Sequence, residues 1–557
     1  MQLDDLLMIV KFFGGLGMFL YGMKMMSAGL QKFAGDKMQH MMGVLTNKRF
    51  MGVLVGGFVT MIIQSSGATS VMAIGMVNAG IMNLTQSVGV IMGANVGTTA
   101  TAWIVSATQL GDAFALMKPS FFAPILVGIG ALMVMFSKKV KKHITGELLI
   151  AIGILFIGLT WMTEAVQPYQ NSEIFINAIT VLGSNPVIGI LVGAGVTCLM
   201  QSSSASIGVL QSLAMNGMIT ANVAVYICLG ACIGSCTTAL ISSIGSTQNG
   251  KRVAIINLLF NCIGVVIFGS IMAIVFTAVP WLPDMTVDAV KIAIFHSSFK
   301  IINTICLFPA GNLLVKAAKK IIPEKGEDEF VQTDELVLHL DDRILRSPSF
   351  AIEMTTKEIV QMGRLAGTNM RNALNCLIFN RYDDIDDIFL EEKKINRYQK
   401  QLTEYMVKIS KLDLNEGQHL MVKNLLYAIN DIERVGDHAE NIAEYAQNML
   451  KDNIVFSDVA KDELVEMSNK VMQNYDWSLE AMETGNNLLF EKVEAYEEQI
   501  DEMEMELRDR HIARLAQNLC RMESGVIFID IISNLERVSD HAMNIVEYVQ
   551  EYNYHEN

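Results

Sequence analysis

Neither a Walker phosphate loop nor an HExxH pair occurs in this 557-residue chain, which argues against an ATP-driven pump and against a metalloprotease. Its 8 cysteines form no CxxC pair and no secretory framework, so disulfides are not expected. Cys228, Cys232 and Cys236 recur every four residues and share a helix face, where small apolar burial is the expected role rather than metal ligation. No proline follows Pro348, glycine is sparse beyond it, and strand signals are missing there. That region also lacks a basic face large enough to hold a nucleic-acid backbone, so no nucleic-acid partner is expected.

What is present is unevenly divided. Residues 1–320 carry 18 Lys+Arg against 9 Asp+Glu, and residues 321–557 carry 24 against 48. The net charge of −15 therefore comes from the second region alone. Two kinds of protein are joined: a transmembrane domain over 1–320, a polar linker over 321–345 that includes IIPEKGEDEF, and a cytoplasmic helical domain over 346–557. The expected fold class is all-α, a polytopic membrane protein followed by a soluble bundle.

Apolar stretches near 6–30, 84–106, 117–136, 147–167, 222–244, 253–279 and 289–315 each approach or exceed the ~20 residues that span a bilayer. Asp4 and Asp5 stand where a cleavable signal would be basic, so the first stretch is expected to remain as a permanent helix. Basic residues cluster at Lys37, Lys48 and Arg49, at Lys138 to Lys142, at Lys251 and Arg252, and at Lys316 to Lys320. Seven crossings with the N-terminus outside put all four clusters in the cytoplasm, whereas Asp4, Asp5, Asp112, Glu173, Asp284 and Asp288 fall outside.

An internal repeat organises this region. GVLVGGFVTMIIQSS (52–66) recurs as GILVGAGVTCLMQSS (189–203), and the offset of 137 continues without a gap. It pairs Gly80 with Gly217, and GANVGTTATA (93–102) with GACIGSCTTA (230–239). The repeats run over about 6–136 and 145–317. Each opens on an arm of about twelve apolar residues before Gln-Ser-Ser, then a second short arm. Such an arm reaches only ~18 Å against a ~30 Å hydrocarbon core, which predicts two re-entrant hairpins with their tips near mid-membrane. Broken backbone is tolerated there only where it is buried or lines a cavity. Three full spans lie between the hairpins, so they enter from opposite faces: the inverted-repeat plan of secondary transporters.

Half-helix N-termini at such tips present N–H groups to an anion, and Ser, Thr and Gln oxygens can hold sodium. Paired QSSGATS (64–70) and QSSSASIG (201–208), with GANVGTT and GACIGSCTT, resemble the duplicated signature of the type II sodium/phosphate cotransporter family. The likeness covers roughly residues 10–315 and implies sodium-driven movement of inorganic phosphate. Carried over by position, Gln64, Ser65, Ser66, Gln201, Ser202 and Ser203 become the substrate and sodium site, with Thr98, Thr99, Thr237 and Thr238 as weaker candidates. Asn95 aligns with Cys232, so the two half-sites are not chemically equivalent.

One departure from the family pattern stands out. AIINLLFN carries Asn257 and Asn261, and AIFHSSFK carries His296 and Lys300. Lys300 falls near mid-span, where a cation normally faces a cavity or a partner. It is expected either to supply positive charge near the phosphate, doing the work of one sodium ion, or to sit at a helix kink or in a watery vestibule.

The second region repeats as well. YAINDIERVGDHAENIAEYAQ (427–447) matches DIISNLERVSDHAMNIVEYVQ (530–550) at an offset of 103, with EKKIN and EQIDE as earlier counterparts. Two tandem three-helix units follow. Glu433, Asp437 and Asn441, like Glu536, Asp540 and Asn544, are spaced i, i+4, i+8 on one face. This duplicated pattern resembles PhoU, a phosphate-signalling family whose acidic clusters can bind metal. Glu433, Asp437, Glu536 and Asp540 are therefore metal candidates, the alternative being a face salt-bridged by Arg434 and Arg537.

The function expected is sodium/phosphate symport across a bacterial inner membrane, not enzyme chemistry, regulated by the PhoU-like domain. Its partners are phosphate, sodium ions, the lipid bilayer, and a regulatory protein or a second copy of the chain. The alternatives are a phosphate exporter or related-oxyanion carrier, and a membrane-tethered sensor.

Overall fold

The computed structural model describes residues 3–43, 49–107, 119–137, 139–169, 172–173, 177, 181, 185–323, 340–517 and 519–556. Lys48, Asp112 and Lys138 of the charge pattern, residues 117–118 of one expected span, and 324–339 of the expected linker lie outside them. The described residues are helical and form no strand; their single β contact is an isolated bridge between Thr220 and Thr286.

The membrane part runs α1 (Leu3–Gly43), α2 (Arg49–Ile63), α3 (Ser66–Asn78), α4 (Leu84–Gly97), α5 (Thr99–Ser106), α6 (Pro119–Phe136) and α7 (Val140–Val166). After these come α8 (Pro186–Met200), α9 (Ser203–Ala214), α10 (Ala221–Gly234), α11 (Cys236–Ser242), α12 (Gln248–Ala278), α13 (Ala289–Leu307) and α14 (Gly311–Ile321). Six described stretches are long and apolar enough to cross a bilayer: Asp5–Phe33, Leu84–Ser106, Lys142–Tyr169, Ala221–Ser242, Gln248–Ala278 and Ala289–Leu307. Ser120–Phe136, in the third expected span, is one of the shorter apolar helices. The outer surface is greasy, with Leu199 at 88%, Phe136 at 76% and Ile274 at 69% exposure, as a lipid-facing belt requires.

The expected span 289–315 is two helices instead. Pro309 lacks an N–H and disfavours helix in the residue before it, so α13 stops at Leu307. The chain restarts as α14, whose last turn carries Lys319 and Lys320.

The repeat survives in three dimensions atom for atom. A Cβ on Gly93 would lie 2.1 Å from the Val53 carbonyl oxygen, and one on Gly230 would lie 2.0 Å from that of Ile190. Gly56 meets the Val90 oxygen at 2.3 Å as Gly193 meets that of Ile227 at 2.2 Å. Every one of these pairs differs by the sequence offset. Glycine permits the approach: α2 lies directly on α4, and α8 on α10, with no side chain between the backbones.

The chain divides into two compact units. The first takes in the membrane part and also Asp341–Ser347; among the described residues, the second takes in Leu340 and the chain from Pro348 onward. The end of the expected linker is thus not a spacer. Ile344 is fully buried, and Arg343 donates from Nε to the Ser242 carbonyl at 2.8 Å and from Nη2 to that of Ile244 at 3.2 Å. Asn78, at the end of α3, donates to Asp341 at 2.5 Å. Apolar burial and three polar contacts hold a segment that composition alone marks as linker.

The second unit comprises α15 (Pro348–Phe379), α16 (Ile385–Ser410) and α17 (Glu416–Asp452), followed by α18 (Asp458–Thr484), α19 (Leu488–Ala516) and α20 (Met522–Glu556). These are two three-helix sets, with Val435, Ala439 and Ile442 of the first motif and Val538, Ala542 and Ile545 of the second fully buried. The carboxylates of each motif, Glu433 and Asp437 in the first and Glu536 and Asp540 in the second, are only half-buried, on a more polar side of their helices.

Candidate functional site

Both Gln-Ser-Ser motifs break a helix in the same way. Gln64 and Gln201 adopt left-handed backbone, at φ 56° and 51°. For an L residue that conformation costs roughly 1–2 kcal/mol, and strain repeated at both tips points to function. Ser65 and Ser202 then act as N-caps, each side-chain oxygen accepting from the N–H three residues on, at 3.2 Å in both cases. A capping serine accepts through its lone pair and keeps its own hydroxyl proton for an anion. The fold-back is tight on the first side, where Thr60 donates to Thr69 across the tip at 2.8 Å.

The two tips are joined. Thr101 Oγ1 donates to Gln64 Oε1 at 2.7 Å and lies 3.3 Å from Ser204 Oγ. Its repeat partner, Thr238, makes the mirrored contact: a Cβ on Gly67 would lie 3.3 Å from the Thr238 side chain. Gly67 and Ser204 are themselves partners under the offset of 137. Each repeat thus leans the threonine of its second signature against the other repeat's hairpin. Thr101 was not among the sequence candidates, although its alignment with Thr238 was the signal that could have found it.

The other candidates divide. The hydroxyl of Thr98, at the α4–α5 break, is buried and has no hydrogen-bond partner among the described residues. Thr99 donates back to the Val96 carbonyl at 2.8 Å, and Thr237 Oγ1 lies 2.9 Å from Cys198 Sγ. Ser66 is half-buried and Ser203 buried, each as the first residue of its helix, while Gln201 is exposed. Helix N-termini at both tips give the region a positive field without any side-chain charge.

Close by lies a buried polar cluster. Lys300, 2% exposed, donates from Nζ to Asn95 Oδ1 at 2.7 Å and to Asn261 Oδ1 at 2.8 Å. Asn257 Oδ1 accepts from both Asn95 and Asn261 at 3.2 Å. Helices α4, α12 and α13 are tied together here, and Asn95 stands one turn before the Thr98 break. Lys300 therefore has partners inside the protein and does not snorkel.

In the second unit the two acidic faces gather further carboxylates. Glu497, Asp501 and Asp540 each offer an oxygen, all within 4.8 Å of one another. Burial first, then Asp540, Asp501 and Glu504, push Glu536 up to about 7. In the first motif burial, then Glu440, Asp437 and Glu433, push Glu392 up to about 7. Such crowding suits a hard cation held by oxygen. Asn441 and Asn544 leave these faces: Asn544 donates to Asp431 at 3.2 Å, and Asn441 lies 3.5 Å from Asn534. Each i+4 step drifts about 40° round a helix, so the third member of the pattern turns toward the other repeat.

These features define a polytopic helical membrane protein built from two repeats, with a helical tail that is itself duplicated. Residues 18–164 and 165–280 each match the Na+/Pi-cotransporter family model, and 359–446 and 464–549 each match the PhoU domain. The membrane part thus carries Na+/Pi-cotransporter domains, and the tail carries PhoU domains in tandem. The chain is 20% identical over 537 residues, 96% of each chain, to "Putative inorganic phosphate export protein YjbB" of Salmonella typhimurium. It is 26% identical to "Uncharacterized protein YqeW" of Bacillus subtilis, covering 58% of this chain and 100% of that one. Over 111 residues, 19% of this chain and 17% of the other, it is 32% identical to the Sodium-dependent phosphate transport protein 2A of Rattus norvegicus.

Proposed function

We propose that the protein moves inorganic phosphate across a bacterial inner membrane by sodium-coupled symport, with the N-terminus outside and the tail in the cytoplasm. The observation that carries this reading is the Gln64–Thr101–Ser204 bridge between the two tips. A carrier of the inverted-repeat type needs its half-sites to meet, whereas a tethered sensor has no use for them. In this reading Gln64, Ser65, Ser66, Gln201, Ser202 and Ser203 form the phosphate and sodium site, with Thr98 beside it. Phosphate export is the second reading, favoured by the name of the relative that covers 96% of both chains. Labelled-phosphate flux in proteoliposomes, with inward, outward or no sodium gradient, separates them. Uptake driven only by inward sodium supports symport; sodium-independent efflux supports export; no flux in either direction defeats both.

The Asp341–Ser347 segment supports regulation by the tail, because it holds the end of α3, whose N-terminus is the first tip, and leads directly into α15. Arg343→Ala releases two carbonyl contacts there. It is expected to make transport respond to internal phosphate as a chain truncated after residue 323 does. Identical responses in wild type and Arg343→Ala would exclude this coupling.

For the tail we propose a divalent cation on the carboxylates of Asp501, Asp540 and Glu497, with Glu536 adjoining, and a second site on Glu433, Asp437 and Glu392. Raised folded-state pKa values mean that the fold binds protons the unfolded chain releases. Without metal, its stability therefore falls as pH rises from about 4.5 to about 7. Metal needs the ionised carboxylates, so Mg2+ or Mn2+ should restore protection at pH 8 and do nothing at pH 5. Hydrogen exchange in α17 and α20 of the full chain, with cation or chelator, measures this. Equal protection at both pH values would count against the sites.

A further inference from the structure

We infer that the Lys300 ammonium occupies a built-in cation site, an amide-oxygen cage that in its absence would take a sodium ion. The inference rests on the transport reading for its use, though not for its test. The side chain is 2% exposed in a helix that lies within the membrane part. A charge so placed needs compensation, because hydrocarbon offers no solvation. Among the described residues no carboxylate forms an ion pair with it. The amide oxygens of Asn95 and Asn261 receive its protons at 2.7 and 2.8 Å. Asn257 holds those two amides by accepting from their nitrogens at 3.2 Å, so their oxygens turn inward. Phe299 adds its ring face, 5.6 Å from Nζ.

Neutral oxygens converging on a point without a carboxylate form the donor set of a monovalent cation site. An ammonium on a tether satisfies it permanently. The repeat sharpens the argument, because Asn95 aligns with Cys232, which lies within electrostatic reach of Lys300 and is a poor ligand for a hard cation. His296, one turn earlier on α13, and Cys236 on α11 are the other titratable groups facing the ammonium. None of these supplies an anion in its ordinary state. The cage is therefore built around Lys300 on one side of the pseudo-symmetric pair only. In a coupled carrier such a tethered charge replaces one transported cation per cycle.

The test needs no transport. Wild type, Lys300→Ala and Lys300→Arg, all full length in detergent, are melted across a titration of NaCl against choline chloride at constant ionic strength. Lys300→Ala is expected to gain a sodium-specific rise in Tm of roughly 5 °C beyond that of wild type, since a cation bound only by the folded state raises its stability. Lys300→Arg, which keeps the charge, should match wild type. Equal sodium responses in wild type and Lys300→Ala overturn the inference. Should Lys300→Ala fail to fold, Lys300→Gln preserves volume, adds another amide oxygen and must show the same gain. In proteoliposomes the sodium-to-phosphate flux ratio of the neutral variant should rise by one, and an unchanged ratio counts against the site. Wild-type vesicles that move no phosphate would defeat the transport reading and leave the melting result to decide the cage.

Discussion

Replacing Thr101 by valine is expected to slow phosphate transport sharply without unfolding the protein. Valine has nearly the same shape, so α5 keeps its place; what disappears is one hydroxyl at a position 2% exposed. That hydroxyl holds Gln64 and reaches Ser204, and it is the bond by which one repeat touches the other's tip. The Gln64 acceptor is only part-buried, so about 1–3 kcal/mol, the cost of an unpaired buried acceptor, is an upper range. Where that cost falls on the transport step, the rate drops roughly 5- to 150-fold. The measurement is initial uptake in vesicles beside a melting curve in detergent. Lost uptake with an unchanged Tm supports the bridge. Full uptake would show that the tips do not depend on it, and a collapsed Tm would make Thr101 structural. Thr238→Val, at the mirrored position against Gly67, should give a weaker version, because glycine offers no hydroxyl to lose.

The largest effect on stability is expected at Gly230. An alanine Cβ there would lie 2.0 Å from the Ile190 carbonyl oxygen, closer than any contact can be, and the neighbour is backbone with nowhere to rotate. Helices α8 and α10 must separate, at a cost of about 1–3 kcal/mol or more. Gly195, two residues past the Gly193 contact on the same α8, has nothing within 4 Å of a built Cβ. Alanine there should be neutral or stabilise by up to about 1 kcal/mol, through helix propensity. Melting both variants in detergent sets them against each other, and equal Tm values would contradict the close approach. Gly93→Ala, at 2.1 Å from the Val53 oxygen, should behave like Gly230→Ala.

Much of this arrangement was legible before any coordinates. The gapless offset of 137 located both hairpins, and Gln-Ser-Ser located the breaks, because a run of apolar helix interrupted by capping residues has few other solutions. The mid-span position of Lys300 announced that it needed partners. Which partners it found was another matter: Asn95 is 205 residues away along the chain, and only α4 crossing α13 makes it a neighbour. Thr101 was passed over because nothing local distinguishes it from Thr98 or Thr99. Its role comes from Ser204, on a helix 103 residues later. In the tail Asp501 lay inside a motif read only as a repeat marker, and it joins Asp540 by the packing of α19 on α20. Residues 341–345 read as linker, since their anchoring uses the carbonyls of residues 242 and 244, and backbone carbonyls carry no sequence signal.

By itself, then, the sequence determined the class of protein: two halves of opposite charge balance, an inverted repeat in one and a tandem helical repeat in the other, and breaks at Gln64 and Gln201. Those features depend on period, composition and capping, which act over one or two helical turns. Only the tertiary structure decided which oxygens meet. Sites made from pairs such as Thr101 with Ser204, Lys300 with Asn95, and Asp501 with Asp540 depend on distances between separate helices. Those distances are set by glycine-cleared backbone contacts, whose effects no single stretch of chain contains.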